Sequence, residues 1–192
     1  MRAVSCKGIV TRGASVAGID PSPRMIEHAR AAPAGERGTV VYAVDDGCVL
    51  STVATNSVDW VTAGLSLNNV PDLDAALAAV RRVLRAEGSL AFTVPHPCFE
   101  APHAAWTQAT GGPVRRVVGD YSAEGFWRSD NPQGARRAGN QHRTLSTYLM
   151  ALVRHGFVLE TVTEPSRSDQ VVAAQPRRAG LPPFLAVRVR RV

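Results

Sequence analysis

Lysine is almost missing from this chain. Lys7 is the only one, and every other strong base is arginine. With the abundance of alanine and glycine, this reads as a GC-rich coding bias. The arginines fall in scattered groups (Arg81 and Arg82, Arg115 and Arg116, Arg136 and Arg137, Arg177 and Arg178, Arg188 to Arg191), so the net charge of +6 reads as solvated surface. Cysteine is scarce too. Cys6, Cys48 and Cys98 are odd in number, far apart and without a C-x-x-C pair. That argues against a disulfide framework and a zinc site, predicts no metal, and fits a reducing cytoplasm. No apolar run approaches the roughly 18 residues of a membrane span. "MRAVSCKGIV" lacks the apolar core and cleavage site of a signal peptide. No internal repeat is present.

The length predicts one domain over residues 1–192, large enough to bury a core. "SVAGI" reads as a short strand ended by Asp20, after which Ser22 caps a helix that opens on Pro23. Met25, Ile26 and Ala29 form that helix's apolar stripe. "TVVYAV" is a β-branched run followed by Asp45, Asp46 and Gly47. "VDWVTAGLSL" is apolar enough to be a strand buried on both faces, with "NNVPD" as its exit. Leu73, Leu77, Val80 and Leu84 then recur at helical spacing, with Arg81, Arg82 and Arg85 turned outward and Gly88 as the C-terminal stop. "SLAFTV" is the next strand.

Residues 95–143 are rich in glycine, proline and aromatics and read as an insertion over the sheet, with a local strand in "PVRRVVGDY". "STYLMALVRH" is a helix with Leu149, Leu152 and Val153 inward and Gly156 as its stop. "FVLETVTEP" and "PFLAVRVRRV" are two closing strands. The alternation predicts an α/β architecture, an open and mostly parallel sheet with helices on both faces. In such sheets ligands bind at the carboxyl ends of the strands, which brings Asp20, residues 45–47, 65–69 and 95–98 into one neighbourhood.

Four ordered segments, "VAGIDPSPRMIEHAR", "YAVDDG", "SVDWVTAGLSLNNVPDLDAALAAVRRVLRAEGSLAFTVPHPCF" and "HRTLSTYLMALVRHGFVLETVTEP", resemble the class I S-adenosylmethionine-dependent methyltransferases, in particular their type 11 small-molecule group. The resemblance spans nearly all of residues 13–192. It implies a three-layer Rossmann-like sheet with an antiparallel final strand, S-adenosylmethionine as cofactor and a small-molecule acceptor. It puts Asp20 on the ribose, where two adjacent hydroxyls match one carboxylate. Ser22 and Met25 would lie beside the adenosine. Asp46 would meet the adenine amino group, with Asp45 a competing choice one residue earlier, and Gly47 stands where alanine is frequent. Leu65 and Ser66 would lie near the methionine part. Asn69, Arg143, Tyr148 and Trp127 are substrate-side candidates. His96 and His142 are candidate bases, needed only if the acceptor must lose a proton. The N/D-P-P-Y/F/W sequence of amino-methylating nucleic-acid enzymes is absent, "LSLNNVPD" standing in its place, which argues against a nucleic-acid substrate.

The family's glycine-rich loop is reduced here to "CKGIVTR", with Gly8 its surviving glycine. Lys7 to Ser15 is too short for a crossover with its helix, which takes at least about 10–12 residues. The first strand–helix unit is therefore expected to be incomplete, through truncation, internal deletion or a misplaced gene start, with a partner chain that supplies the missing layer as the third explanation. Two consequences are expected. Exposed strand edges would favour a homodimer. Cofactor binding would be weakened, which keeps open a catalytically inactive domain that binds a partner or ligand.

Overall fold

The computed structural model describes residues 13–31, 38–129 and 139–192. Gly8 and the expectation about the first strand–helix unit lie outside these residues.

Strand β1 (Val16–Asp20) leads through Ser22 into helix α1 (Pro23–Ala31). The Ser22 hydroxyl accepts the Met25 N–H at 3.4 Å, and Ile26 and Ala29 are the buried face. Strand β2 (Val40–Val44) returns parallel to β1, with Asp20 opposite Val44. Strand β3 (Val58–Gly64), helix α2 (Leu73–Val83) and strand β4 (Leu84–Pro95) form a second parallel unit. Asp72 caps α2 by accepting the Ala75 N–H at 2.9 Å. Two antiparallel ribbons follow, β5 (Ala105–Gln108) with β6 (Val114–Val117) and β7 (Gly125–Trp127) with β8 (Asn140–His142). Helix α3 (Leu145–Arg154), capped by Thr144, precedes strand β9 (Phe157–Thr163). The short helix α4 (Asp169–Ala174) and strand β10 (Phe184–Arg191) complete the order.

Among the described residues the main sheet runs β3-β4-β10-β9, and β1-β2 form a separate pair. Strand β10 is antiparallel to both neighbours, so β9 points the same way as β3 and β4. The expected mostly parallel sheet with an antiparallel final strand is the one observed. One face of it carries Leu90, Phe92, Val94, Leu185, Val187 and Val189, which pack with Leu77, Val80, Val83, Ala151 and Leu152 of α2 and α3. Ile19 joins this core from β1. The opposite face presents Thr62, Gly64, Ala91, Thr93, Thr161, Thr163 and Ala186 along an open trough of about 300 Å³. No helix among the described residues is long and apolar enough to cross a membrane.

Several sequence expectations are corrected here. Strand β3 is not buried on both faces: Asp59, Trp60, Thr62 and Gly64 are exposed. Gly88 does not end α2. The helix stops at Val83, Leu84 already pairs with Val58, and the left-handed residue is Glu87, with φ +62°. Gly88 answers a different need, since a Cβ there would stand 2.9 Å from the Arg85 carbonyl oxygen. Arg81 and Arg82 are not free solvent-facing charges. Arg81 donates to the Gly156 and Val192 carbonyls, and Arg82 to those of Val49, Leu50 and Val53. Val153 points outward at 59% exposure, and Tyr148 takes the buried position in α3.

Candidate active site

The carboxyl ends of β1 and β2 hold three acids in two very different settings. Asp20 is half-buried. One carboxylate oxygen accepts the Ser22 N–H at 2.9 Å, and among the described residues the other oxygen is open. Asp45 is buried and fully engaged: its oxygens accept from the Asp46 N–H, the Ser51 hydroxyl, and the N–H and hydroxyl of Thr52. Burial alone would raise its pKa. These hydrogen bonds to the charged form outweigh burial and hold it at about 2. Asp46 is exposed, with one oxygen on the Cys48 N–H at 2.8 Å and, among the described residues, the other open. The two candidates that the sequence left open thus divide: Asp45 organises its own loop, and Asp46 faces outward. Gly47 lies beside Val70, where a Cβ would meet only an ordinary contact at 3.9 Å, so alanine would fit.

The loop after β3 forms the next wall. Leu65 adopts a left-handed conformation (φ +54°) and donates its N–H to the Thr93 carbonyl at 2.9 Å, turning the chain off the sheet. Non-glycine residues in that region are strained, and such strain gathers at functional sites. Ser66 then leads into a 3₁₀ turn, Leu67–Asn69. Asn69 is exposed and spends its side chain locally, donating to the Leu65 carbonyl and accepting from Asn68. Asn68 is the inward residue, only 7% exposed, and among the described residues its Oδ1 has no hydrogen-bond partner.

Arg143 fastens this loop from 76 residues away. Its guanidinium donates to the carbonyls of Leu67, Val70 and Pro71 at 3.1, 2.6 and 2.9 Å. Those three acceptors satisfy a charge that is 8% exposed. The same guanidinium stands 6.0 Å from the centre of the Tyr148 ring. Burial pushes the Tyr148 hydroxyl pKa up, against the opposing effect of Arg143.

The two histidines differ. His96 Nδ1 accepts the Cys98 N–H at 3.2 Å, which places the ring proton on Nε2, where it is donated to Glu164 at 2.6 Å. Both nitrogens are committed. His142 Nε2 meets the Tyr121 carbonyl oxygen at 2.8 Å. A carbonyl only accepts, so the proton sits on Nε2 and the Nδ1 of the neutral ring keeps its lone pair. A small cavity, about 10 Å³ and so room for one water, lies among Asn68, Pro95, Pro97, Glu100, His142, Arg143 and Tyr148. Trp127 lies outside that lining, its ring 6.4 Å from His103. The structure therefore joins His142, Arg143 and Tyr148 to Asn68 and Glu100. Glu100 was not singled out in the sequence, because an acid in an aromatic- and glycine-rich insertion looks like ordinary surface.

A family model described as "Methyltransferase domain" matches residues 3–92. A crystal structure of an S-adenosylmethionine-dependent methyltransferase from Mesorhizobium loti is 31% identical, with a TM-score of 0.81 over 97% of this chain and 85% of that one. The glycopeptide N-methyltransferase MtfA, crystallised with S-adenosylmethionine, is 18% identical and shares the fold, with a TM-score of 0.60 over 96% of this chain and 80% of that one. Nocamycin O-methyltransferase of Saccharothrix syringae is 41% identical over 87 residues, 44% of this chain. That match covers 30% of the relative's own length, so the chain spans about a third of it.

Proposed function

The chain belongs to the class I S-adenosylmethionine-dependent methyltransferases, and from that membership we propose that it methylates a small-molecule acceptor held beside Asn68, His142 and Tyr148. The observation that carries this reading is the pair of open carboxylates, Asp20 and Asp46, on adjacent parallel strand ends. The Asp45 N–H meets the Asp20 carbonyl at 3.3 Å, so the two acids share one rim. They fit the cofactor: among the described residues each has a free acceptor oxygen, and the competing acid Asp45 has none to spare.

Asp20 would hold the ribose hydroxyls, with Ser22 and Met25 beside the adenosine. Asp46 and Gly47 would meet the adenine, and Leu65 and Ser66 the methionine part. When bound, S-adenosylmethionine supplies an electrophilic methyl on a sulfonium that leaves as a neutral thioether. The protein's task is mainly alignment, and well-oriented reactants can gain about 7–11 kcal/mol in barrier height. Arg143 holds the loop that forms the wall between the two substrates. Asn68 Oδ1 offers an acceptor to the incoming molecule, and His142 Nδ1 takes its proton if the nucleophile is a hydroxyl. His96, with both nitrogens engaged, supports the loop after β4.

We place the protein in the cytoplasm, with Cys48 and Cys98 as free thiols. Among the described residues β1 and β3 each pair on one edge only, and we propose that a homodimer forms through these edges. Static light scattering that finds a monomer at high concentration refutes this part.

Calorimetric titration of the full chain with S-adenosylmethionine and S-adenosylhomocysteine tests the main reading. One-site binding in the micromolar range is expected. An absence of binding overturns it in favour of an inactive domain of the same fold.

A further inference from the structure

One short loop, residues 119–124, holds the segment that carries His142. The loop leads directly into β7. Its base is closely seated: Asp120 donates its N–H to the Pro102 carbonyl at 2.8 Å, and a Cβ on Gly119 would stand 2.0 Å from that same oxygen. From this base Tyr121 and Glu124 reach across to residues 142–147. The Tyr121 carbonyl accepts the His142 Nε2–H at 2.8 Å, and its phenol oxygen accepts the Leu145 N–H at 3.0 Å. One oxygen of Glu124 accepts the Thr144 N–H and hydroxyl, both at 2.7 Å, and the Thr147 hydroxyl at 2.6 Å.

Helix capping does not account for Glu124. Thr144 already caps α3, its hydroxyl accepting the Thr147 N–H at 3.2 Å. What Glu124 adds is a tie between the first turn of α3 and the start of β7. Its chain neighbour Gly125 stands opposite His142 in the β7–β8 ladder. Partial burial would raise the Glu124 pKa, but hydrogen bonds from Thr147 and Thr144, with the nearby His142, bring it below the ordinary value. The group is therefore a carboxylate at neutral pH, and its contacts are charge-assisted.

His142 is buried and lines the cavity with Asn68 and Tyr148. A neutral imidazole has one donor nitrogen and one acceptor nitrogen. The Tyr121 carbonyl takes the donor, so Nδ1 is left as the acceptor. If the loop moved away from residues 142–147, the proton would be free to settle on Nδ1, and the ring would lose its basic atom on that side. We propose that Glu124 is a positioning residue for His142: by tying Thr144 and Thr147 to the loop, it keeps the Tyr121 carbonyl on Nε2 and the lone pair on Nδ1. This rests on the reading of His142 as the base, but the tautomer can be measured without methyl transfer.

The test is nitrogen-15 NMR of the histidine rings in the full chain at alkaline pH, where imidazole is neutral. The chain has five histidines, and His142→Gln identifies the His142 resonances by their loss. The unmodified chain is expected to show His142 in one tautomer, protonated on Nε2. Glu124→Ala is expected to move its two nitrogen resonances toward each other, the sign of a mixture, and Glu124→Gln, which keeps an acceptor oxygen, to restore their separation. Thr147→Val removes one donor to Glu124 and is expected to shift them the same way by less. Asp74→Ala, which frees Arg154 and His155 at the far end of α3, is the control for general loosening and is expected to leave them in place. A proton on Nδ1 in the unmodified chain overturns the proposal. So do unmoved resonances in a folded Glu124→Ala protein, or in Thr147→Val if Glu124→Ala does not fold. A Glu124→Gln protein that matches Glu124→Ala, or an Asp74→Ala protein that does so, also overturns it. Failure of S-adenosylhomocysteine to bind the unmodified chain overturns the methyltransferase reading instead.

Discussion

Thr52 donates both its backbone N–H and its hydroxyl to one oxygen of Asp45, at 2.7 and 2.8 Å. This double contact closes the loop after β2 and leaves Asp46 as the outward acid.

The Asp45 carboxylate therefore couples loop stability to acid. Its folded pKa of about 2 lies below the ordinary aspartate value of about 3.9, so its contribution is full above about pH 4 and is lost as pH falls toward 2. The linked stability is about 2 kcal/mol. Asp45→Asn should lower the melting temperature at neutral pH and flatten the decline between pH 4 and 2. An unchanged acid profile in thermal melts would falsify the assignment.

Asp20→Ala should weaken S-adenosylhomocysteine about a hundredfold, because two charge-assisted hydrogen bonds are lost, while Asp46→Ala should cost about tenfold. Asp45→Asn should act on folding more than on affinity. Calorimetry on the three variants separates these roles; equal losses for Asp20→Ala and Asp45→Asn would remove the distinction drawn between them.

Arg143→Met keeps much of the apolar stem but leaves the carbonyls of Leu67, Val70 and Pro71 without their donor. A loss of about 2–4 kcal/mol is expected in urea unfolding. Arg143→Lys should recover part of it, since one ammonium lacks the planar fork that spans three acceptors. Full recovery by lysine would argue against the clamp.

Glu87→Gly should stabilise the protein by about 1 kcal/mol, as glycine removes the penalty of the left-handed backbone at φ +62°. The variant gives up an exposed ion pair with Arg190, which is worth little at a surface. A lower melting temperature would show that the ion pair outweighs the backbone term.

Much of this architecture was readable from local signals. Ser22 before Pro23, the stripe Leu73–Leu77–Val80, and Gly156 after α3 each act within a turn or two of chain, and all stand where expected. The buried-strand reading of "VDWVTAGLSL" failed because hydropathy does not report which sheet face is covered. Gly88 was misread as a helix stop because its role depends on the Asp59 and Arg85 carbonyls beside it.

The sequence by itself determined the order of β1 to β4, α1 to α3, β9 and β10, the family resemblance and the position of Asp20 at a strand end, since periodicity, caps and strand-end acids are short-range chemistry. Only the tertiary structure decided that Asp45 is internal and Asp46 open, that His96 is committed and His142 is not, and that Arg143 clamps a loop. It alone tied Glu124 to the helix that follows His142. The physical reason is common to all four: a polar side chain's role is set by which partners burial brings within about 3–4 Å. Those partners arrive from segments distant in the chain, 76 residues away in the case of Arg143 and Leu67.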